Sequence, residues 1–251
     1  MSGHSKWATI KRKKGAVDAK RGKIFTKVVR EITTAARMGG GDPNGNPRLR
    51  AAILAAKAAR MPADNIERAI KKGTGAWDGP PVEETAYEAY APGGVALYIE
   101  AQTDNKNRTT GEVRTVLTKA NSALGASGSV AWMFHKKGRF VFDAGKYTEE
   151  ELTDAAIEAG AEDVTREGDT FVVLCELRAF SAVAEYFEKH NLKVEEGELT
   201  MVPESYVKVK GEDAEKLMGL MERLEDLDDV QKVHANFDID DADLERIAGA
   251  S

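Results

Sequence analysis

The distribution of charge divides this chain into two parts and constrains its fold more than any other feature. Residues 1–75 carry 18 Lys and Arg against five Asp and Glu, which gives a net charge of +13. Residues 76–251 carry 18 basic against 37 acidic side chains, a net charge of −19, so the whole chain has a formal charge of −6. The stretch GTGAWDGPPVEE between them has the Gly and Pro content of a linker. We therefore expect a basic and an acidic body that fold separately.

The first 22 residues are predicted to form a mobile basic arm. Gly3, Gly15 and Gly22 interrupt the segment, and KWATIKRKKGAVDAKRGK is dense in Lys and Arg with Asp18 as its one acidic residue. Mobile basic segments bind structured RNA by becoming ordered on it. The ring of Trp7 has two alternative roles, stacking on a base or packing on the folded domain that follows.

Residues 23–75 are predicted to form a three-helix nucleic-acid-binding domain. In KIFTKVVREITTAAR, apolar residues recur at helical spacing and leave Lys and Arg on the opposite side. Asn46 is a good N-cap for a second helix that starts with Pro47. A third helix follows Pro62, and its acidic start and basic end suit the helix dipole before Gly73 ends it.

The acidic part alternates strands and helices, which predicts an α+β protein with two ferredoxin-like modules. RFVFDA, TEEELTDAAIEAG, EDVTR, TFVVLCE, RAFSAVAEYFEKHN and LKVEEGELTMV follow the order β-α-β-β-α-β over residues 138–203. This second module is inserted into a first one, made of residues 80–134 plus 204–240, in which GSVAWMF is predicted to be a strand. An RNA-recognition sheet is the alternative for KKGRFVFD, but Phe140 and Phe142 are better explained as core residues, as is Cys175.

The sequence contains no pattern that predicts catalysis or metal binding. His4, His135, His190 and His234 have no His or Cys at ligand spacing. The segment DPNGNP begins like a calcium loop but has Pro where that loop needs Gly. Asp104, Asn105 and Asn107 cluster between a strand and a helix, where helix capping is a better explanation than substrate binding. We expect a non-enzymatic protein without cofactor or metal.

The basic part is expected to bind nucleic acid, since the acidic part repels phosphate. The predicted contacts are Lys and Arg side chains that neutralise phosphates, together with the ring of Trp7. The candidate residues are Lys6, Trp7, Lys11, Arg12, Lys13, Lys14, Lys20, Arg21, Lys23, Lys27, Arg30, Arg48, Arg50, Lys57 and Arg60.

Several long segments resemble the YebC/PmpR family. They are GHSKW, KGAVDAKRGKIFTK, NPRLRAAILAAKAARMPADNIERAIKKG, YAPGGVALYIEAQTDNKNRT, GSVAWMF and ANFDI, and they extend over nearly the whole chain. The resemblance implies a helical N-terminal domain followed by two α/β domains. It also implies one of two functions: DNA-binding transcriptional regulation, or translation regulation on the ribosome with relief of elongation stalls, since a mitochondrial relative is a translational activator.

The sequence favours ribosomal RNA over duplex DNA as the ligand. No helix-turn-helix presents Asn, Gln and Arg together on a base-reading face. A basic arm that contacts phosphates suits the recognition of RNA by its shape. We expect a cytoplasmic monomer that has no membrane partner and associates with the ribosome. Duplex DNA remains the alternative ligand.

Overall fold

The computed structural model describes residues 18–75 and 82–250, which fall into two compact units. The described part of one unit is residues 82–135 and 201–250, and that of the other is residues 18–75 and 136–200. The mixed helix-and-sheet class predicted from the sequence is confirmed.

The N-terminal domain consists of three helices, α1 (Asp18–Gly39), α2 (Pro47–Ala58) and α3 (Ala63–Thr74). They share a core that includes Ile32, Leu49 and Ile66. The sequence placed residues 18–22 in the mobile arm, and this was wrong, because α1 already begins at Asp18. The rest of the predicted arm, residues 1–17, lies outside the described residues.

Asn46 and Gly73 hold the three helices together. The Asn46 side chain accepts a hydrogen bond from the N–H of Leu49 at 3.0 Å, as predicted for an N-cap. Its Nδ2 also donates to the carbonyl oxygens of Ala35 at 2.8 Å and Gly40 at 2.9 Å. At Gly73 a Cβ atom would lie 2.4 Å from the carbonyl oxygen of Thr33, so only glycine allows α3 to approach α1 this closely.

The chain then enters the first sheet through β1 (Glu83–Ala91), β2 (Val95–Thr103), α4 (Lys106–Lys119) and the short β3 (Ala123–Leu124). A 3₁₀ turn at Pro92–Gly94 joins β1 to β2 as an antiparallel hairpin in the middle of the sheet. Since the two central strands are joined directly, this module has the four strands and two helices of a ferredoxin-like fold in a different connection order.

The second sheet has the strand order expected of a split βαβ fold. Its elements are β4 (Phe134–Asp143), α5 (Glu149–Ala159), β5 (Asp163–Glu167), β6 (Thr170–Glu176), α6 (Phe180–Lys189) and β7 (Glu196–Pro203). The order across the sheet is β5-β6-β4-β7. Phe140 and Phe142 are fully buried among Phe180 and Phe187, which confirms the prediction that they are core residues.

The buried residue Cys175 belongs to the same core. Burial raises the pKa of its thiol to about 12, and the nearby carboxylates of Glu162 and Glu176 act in the same direction. The thiol is therefore protonated at neutral pH, as expected of a small apolar core residue.

The chain returns to the first module through β8 (Val207–Lys208), α7 (Gly211–Glu225), β9 (Val230–Ala235), β10 (Phe237–Asp238) and α8 (Asp241–Ala250). β9 completes the sheet in the order β3-β1-β2-β9, and β8 pairs with β10 in a separate parallel ladder. The sequence did not predict α8, whose residues Leu244 and Ile247 are buried in the core of this module.

The segment GSVAWMF is not a strand, contrary to the sequence prediction. It forms a bend and a 3₁₀ turn at Ala131–Met133 before β4 begins at Phe134. The buried carboxylate of Glu88, on β1, accepts hydrogen bonds from the N–H groups of Gly128 at 2.6 Å, Val130 at 2.6 Å and Ala131 at 2.8 Å. These bonds satisfy the backbone donors that a strand would have paired with a neighbouring strand.

Candidate nucleic-acid interface

Helix α1 carries a row of basic side chains opposite its buried face. Lys23, Lys27, Arg30 and Arg37 all lie within about 40° of the direction opposite to the buried side chain of Ile32, at 3.6 residues per turn. Lys23 and Arg37 are exposed, and Lys27 and Arg30 are half-buried. We call these four residues the α1 stripe. Arg37 belongs to it geometrically, although it was not among the candidate residues.

Several candidates cannot be placed. Lys20 and Arg21 lie on the first turns of α1, and only their backbone is described. The remaining candidates of the N-terminal segment lie outside the described residues: Lys6, Trp7, Lys11, Arg12, Lys13 and Lys14. Their contribution remains a prediction.

Arg48 is engaged by an acidic partner on α1. Its Nε lies 2.6 Å from Oε1 of Glu31, and its Nη2 lies 2.8 Å from Oε2 of the same carboxylate. Both side chains are about one-quarter exposed. A phosphate would have to displace a bidentate carboxylate to bind here, so Arg48 is better suited to holding α2 against α1 than to ligand binding.

Arg50 also forms hydrogen bonds within its own unit, but to carbonyl oxygens and an amide instead of a carboxylate. Its Nε donates to the carbonyl of Pro43 at 3.3 Å, its Nη2 donates to the side chain of Asn44, and its Nη1 donates to the carbonyl of Ser181 at 3.0 Å. Ser181 lies on α6, so this guanidinium joins the helical domain to the second α/β module. Leu54, one turn further along α2, extends the contact by packing into the core of that module.

Lys57 and Arg60 lie at the opposite end of α2 from Arg48. Both are exposed, and neither forms a side-chain hydrogen bond or ion pair with a described residue. Because α2 starts beside Ala35 and Gly40 of α1, its twelve residues place its end about 18 Å from that contact. The two cations therefore lie at the end of α2 that is far from the turn joining it to α1.

The third helix adds cations that sequence analysis treated only as partners of the helix dipole. Lys71 and Lys72 are exposed in the last turn of α3. The Lys71 amine lies 4.0 Å from the carboxylate of Glu67, and both side chains are at least 70% exposed, so this ion pair holds the charge only weakly. A helical net of α3 drawn against its buried residues would have identified them.

The polar cluster after β2 includes a helix cap, as predicted. The side chain of Asn105 accepts the N–H of Arg108 at 3.1 Å and caps α4. Sequence analysis did not identify Asp229, the buried residue at its centre. Its Oδ2 accepts hydrogen bonds from Arg108 at 2.7 Å, Thr109 at 2.7 Å and Thr103 at 3.1 Å. Burial raises the pKa of Asp229, but these donors outweigh burial and hold the pKa below its usual value.

No alternative site emerges elsewhere in the described part of the chain. Across residues 18–75 and 82–250, no three His, Cys, Asp or Glu side chains come close enough together to hold a metal ion. None of the helices in these ranges is long and apolar enough to cross a membrane.

Comparison with known proteins gives matches along the whole chain. The chain is 56% identical over 247 residues to a probable transcriptional regulatory protein of Geobacter sulfurreducens, covering 98% of this chain and 100% of that protein. A probable transcriptional regulatory protein of Syntrophobacter fumaroxidans is 55% identical, with 99% of this chain and 100% of that protein covered.

A solved structure and two family models agree with these relatives. The crystal structure of a conserved hypothetical protein from Aquifex aeolicus matches with a TM-score of 0.81 and 49% identity, covering 90% of this chain and 93% of that one. Residues 5–76 match the TACO1/YebC protein N-terminal domain, and residues 82–237 match the TACO1/YebC second and third domain. The chain therefore belongs to the TACO1/YebC family.

Proposed function

We propose that this protein is a non-enzymatic regulator of gene expression that binds nucleic acid through its basic N-terminal domain. The α1 stripe is the observation that carries the proposal, because it aligns four cations along one helix, opposite the face that the domain buries. Rows of Lys and Arg on a rigid element neutralise successive phosphates. The protein acts in the cytoplasm as a monomer.

The ligand we favour is ribosomal RNA, with relief of elongation stalls as the regulatory outcome. The exposed polar side of α1 presents Lys and Arg but lacks the Asn and Gln side chains that read base edges in a major groove. Contacts to phosphates without base readout suit a structured RNA recognised by its shape. The resemblance of the sequence to a family with translational members supports the same choice.

Transcriptional regulation through duplex DNA is the second candidate. It is favoured by the names of the relatives, which are probable transcriptional regulatory proteins. Either function makes the protein a regulator, and both place the ligand on the same basic surface. They differ in the nucleic acid that binds most tightly at physiological salt.

A pair of charge-reversal variants tests the proposed surface. The variant Lys23→Glu with Lys27→Glu inverts the charge at the N-terminal end of the α1 stripe. The variant Lys106→Glu with Lys119→Glu makes the same change in charge on exposed positions of α4. Binding to purified ribosomal particles and to random-sequence duplex DNA is measured by sedimentation and anisotropy at several salt concentrations. Thermal unfolding of each variant confirms that the fold is retained.

We expect the α1 variant to weaken binding strongly and the α4 variant to bind like the wild type. For duplex DNA with about six phosphates contacted, a plot of log affinity against log salt concentration should have a slope of roughly −5. Each lost phosphate contact should make this slope less steep by about 1. Tighter binding to ribosomal particles than to any duplex supports the translational role. Preference for one duplex over scrambled DNA, with no affinity for particles, would establish the transcriptional role instead. Equal binding by the two variants would refute the α1 surface.

A further inference from the structure

Five helices in the described part of the chain end on a residue in the left-handed conformation. Four of these residues are Gly40, Asn121, Gly160 and Asn191, and the fifth is Arg60, with a φ of 57°. Glycine adopts this conformation without strain, and Asn tolerates it better than other residues do. Arg60 therefore occupies the one such helix end where the side chain does not suit the backbone.

The backbone at Arg60 has no alternative conformation within this fold. The N–H of Arg60 donates to the carbonyl of Lys57 at 2.9 Å, and the N–H of Met61 donates to the carbonyl of Ala56 at 2.9 Å. These two bonds form a Schellman motif, which requires a left-handed residue between them. Met61 and Ala56 are both buried, so the motif is also anchored in the core.

The same motif ends three other helices, and there the residue fits the backbone. At the end of α4 the N–H groups of Asn121 and Ser122 donate to Thr118 and Leu117. At the ends of α5 and α6 the pairs Gly160 and Ala161, and Asn191 and Leu192, donate in the same pattern. The chain thus places Gly or Asn at the equivalent ends in the acidic modules and Arg at the end of α2 in the basic domain.

Nothing within the described structure uses the Arg60 side chain. It is exposed and forms no hydrogen bond or ion pair with a described residue. It follows the last turn of α2, three residues beyond exposed Lys57. A residue that strains the backbone and makes no contact of its own indicates a function outside the folded chain.

We propose that Arg60 is the anchoring contact of the nucleic-acid surface and that its guanidinium binds a phosphate in bidentate geometry. This inference rests on the function proposed above. It adds one residue that contacts the ligand and whose left-handed backbone lowers the stability of the fold. A fixed backbone conformation holds the start of the side chain in one direction, which lowers the entropy lost on binding. Arg suits the role better than Lys because its planar fork matches two phosphate oxygens.

Three substitutions in the full chain separate the backbone effect from the side-chain effect. Arg60→Gly and Arg60→Asn suit the left-handed backbone and remove the charge, while Arg60→Lys keeps the charge and removes the fork. Asn191→Gly is the matched control at an equivalent helix end. Affinity for purified ribosomal RNA and for random-sequence duplex DNA is measured with thermal unfolding and with hydrogen exchange in the last turn of α2.

We expect R60G and R60N to weaken binding about tenfold or more, the loss of one charge-assisted contact. The thermal midpoint of R60G should rise by about 2–4 °C, or exchange in the last turn of α2 should slow. R60K should bind between the wild type and R60G, and N191G should bind like the wild type. Loss of binding together with gain of stability supports the inference.

The inference is wrong if R60G binds within twofold of the wild type, or if R60G is less stable than the wild type. Failure of the broader function gives a different result. If R60G leaves binding unchanged while K23E/K27E abolishes it, the basic surface stands and only the anchoring role of Arg60 is lost. If K23E/K27E also binds normally, the proposed function is wrong, and so is this inference.

Discussion

Replacing Asn46 by Asp should strongly destabilise the helical domain, although Asp is as good an N-cap as Asn on a helix with exposed ends. Asn46 is 5% exposed, and its Nδ2 donates to the carbonyl oxygens of Ala35 at 2.8 Å and Gly40 at 2.9 Å. In Asn46→Asp a carboxylate oxygen replaces this donor and faces both carbonyls. Two hydrogen bonds become two repulsive contacts in a buried site.

The magnitude follows from the number of groups left unsatisfied. A buried carbonyl that loses its donor, as at Ala35, costs about 1–3 kcal/mol, and the partly buried carbonyl of Gly40 costs less. The buried charge adds to this, so we expect N46D to lose about 3–5 kcal/mol. Asn46→Ala should lose less, because it leaves the carbonyls unpaired without adding charge. Since a small domain has about 5–15 kcal/mol of stability, N46D leaves the helical domain close to unfolding.

Asn105 provides the matched control. It caps α4 with one hydrogen bond to the N–H of Arg108 and is exposed, so Asn105→Asp should change stability by only a few tenths of a kcal/mol. Urea unfolding followed by circular dichroism measures the loss, and hydrogen exchange of α1 and α2 locates it. If N46D were as stable as N105D, with unchanged exchange in α1, the assignment of the Asn46 amide donors would be refuted.

Three further predictions concern other buried contacts. Burial raises the pKa of Glu88, but its three backbone donors outweigh burial and hold the pKa below its usual value. Glu88→Gln should therefore lower the free energy of unfolding by about 2–3 kcal/mol at pH 7. When urea unfolding is repeated at lower pH, the difference between this variant and the wild type should shrink as the pH falls through the pKa of the folded protein. Gly73→Ala should destabilise the helical domain by about 1–3 kcal/mol in the same assay, because its Cβ meets the carbonyl of Thr33, whereas Gly111→Ala on open α4 should stabilise by about 0.5–1 kcal/mol. The Cys175 thiol, with its pKa raised to about 12, should resist alkylation at pH 8 and react once the protein is unfolded, as mass spectrometry would record.

The features that sequence predicted correctly depend on interactions close along the chain. Asn46 was identified as a cap because Leu49, the residue whose N–H it accepts, lies three positions away. The split βαβ order of the second sheet followed from alternating strands and helices of ordinary length. The α1 stripe was visible because its spacing follows one helix.

Two of the features that sequence missed depend on partners far along the chain, and a third depends on local composition. GSVAWMF has the apolar content of a strand, but Glu88 lies about 40 residues earlier and binds its backbone donors. The start of α1 at Asp18 was missed because a basic stretch with Gly22 resembles a linker more than a helix. Asp229 was missed because its partners lie about 120 residues away.

The count of cations in the basic part overstates what a phosphate polymer can contact. Arg48 is held by the carboxylate of Glu31, and Arg50 donates to carbonyls on two parts of its unit, so both stabilise the arrangement of helices. Arg60 differs from both, because its left-handed backbone suits Gly or Asn better than Arg. A cation that the fold uses is explained by its partners, whereas a cation that the fold tolerates at a cost requires a ligand to explain it. By this criterion, the proposed contact at Arg60 is one that the described fold alone does not explain.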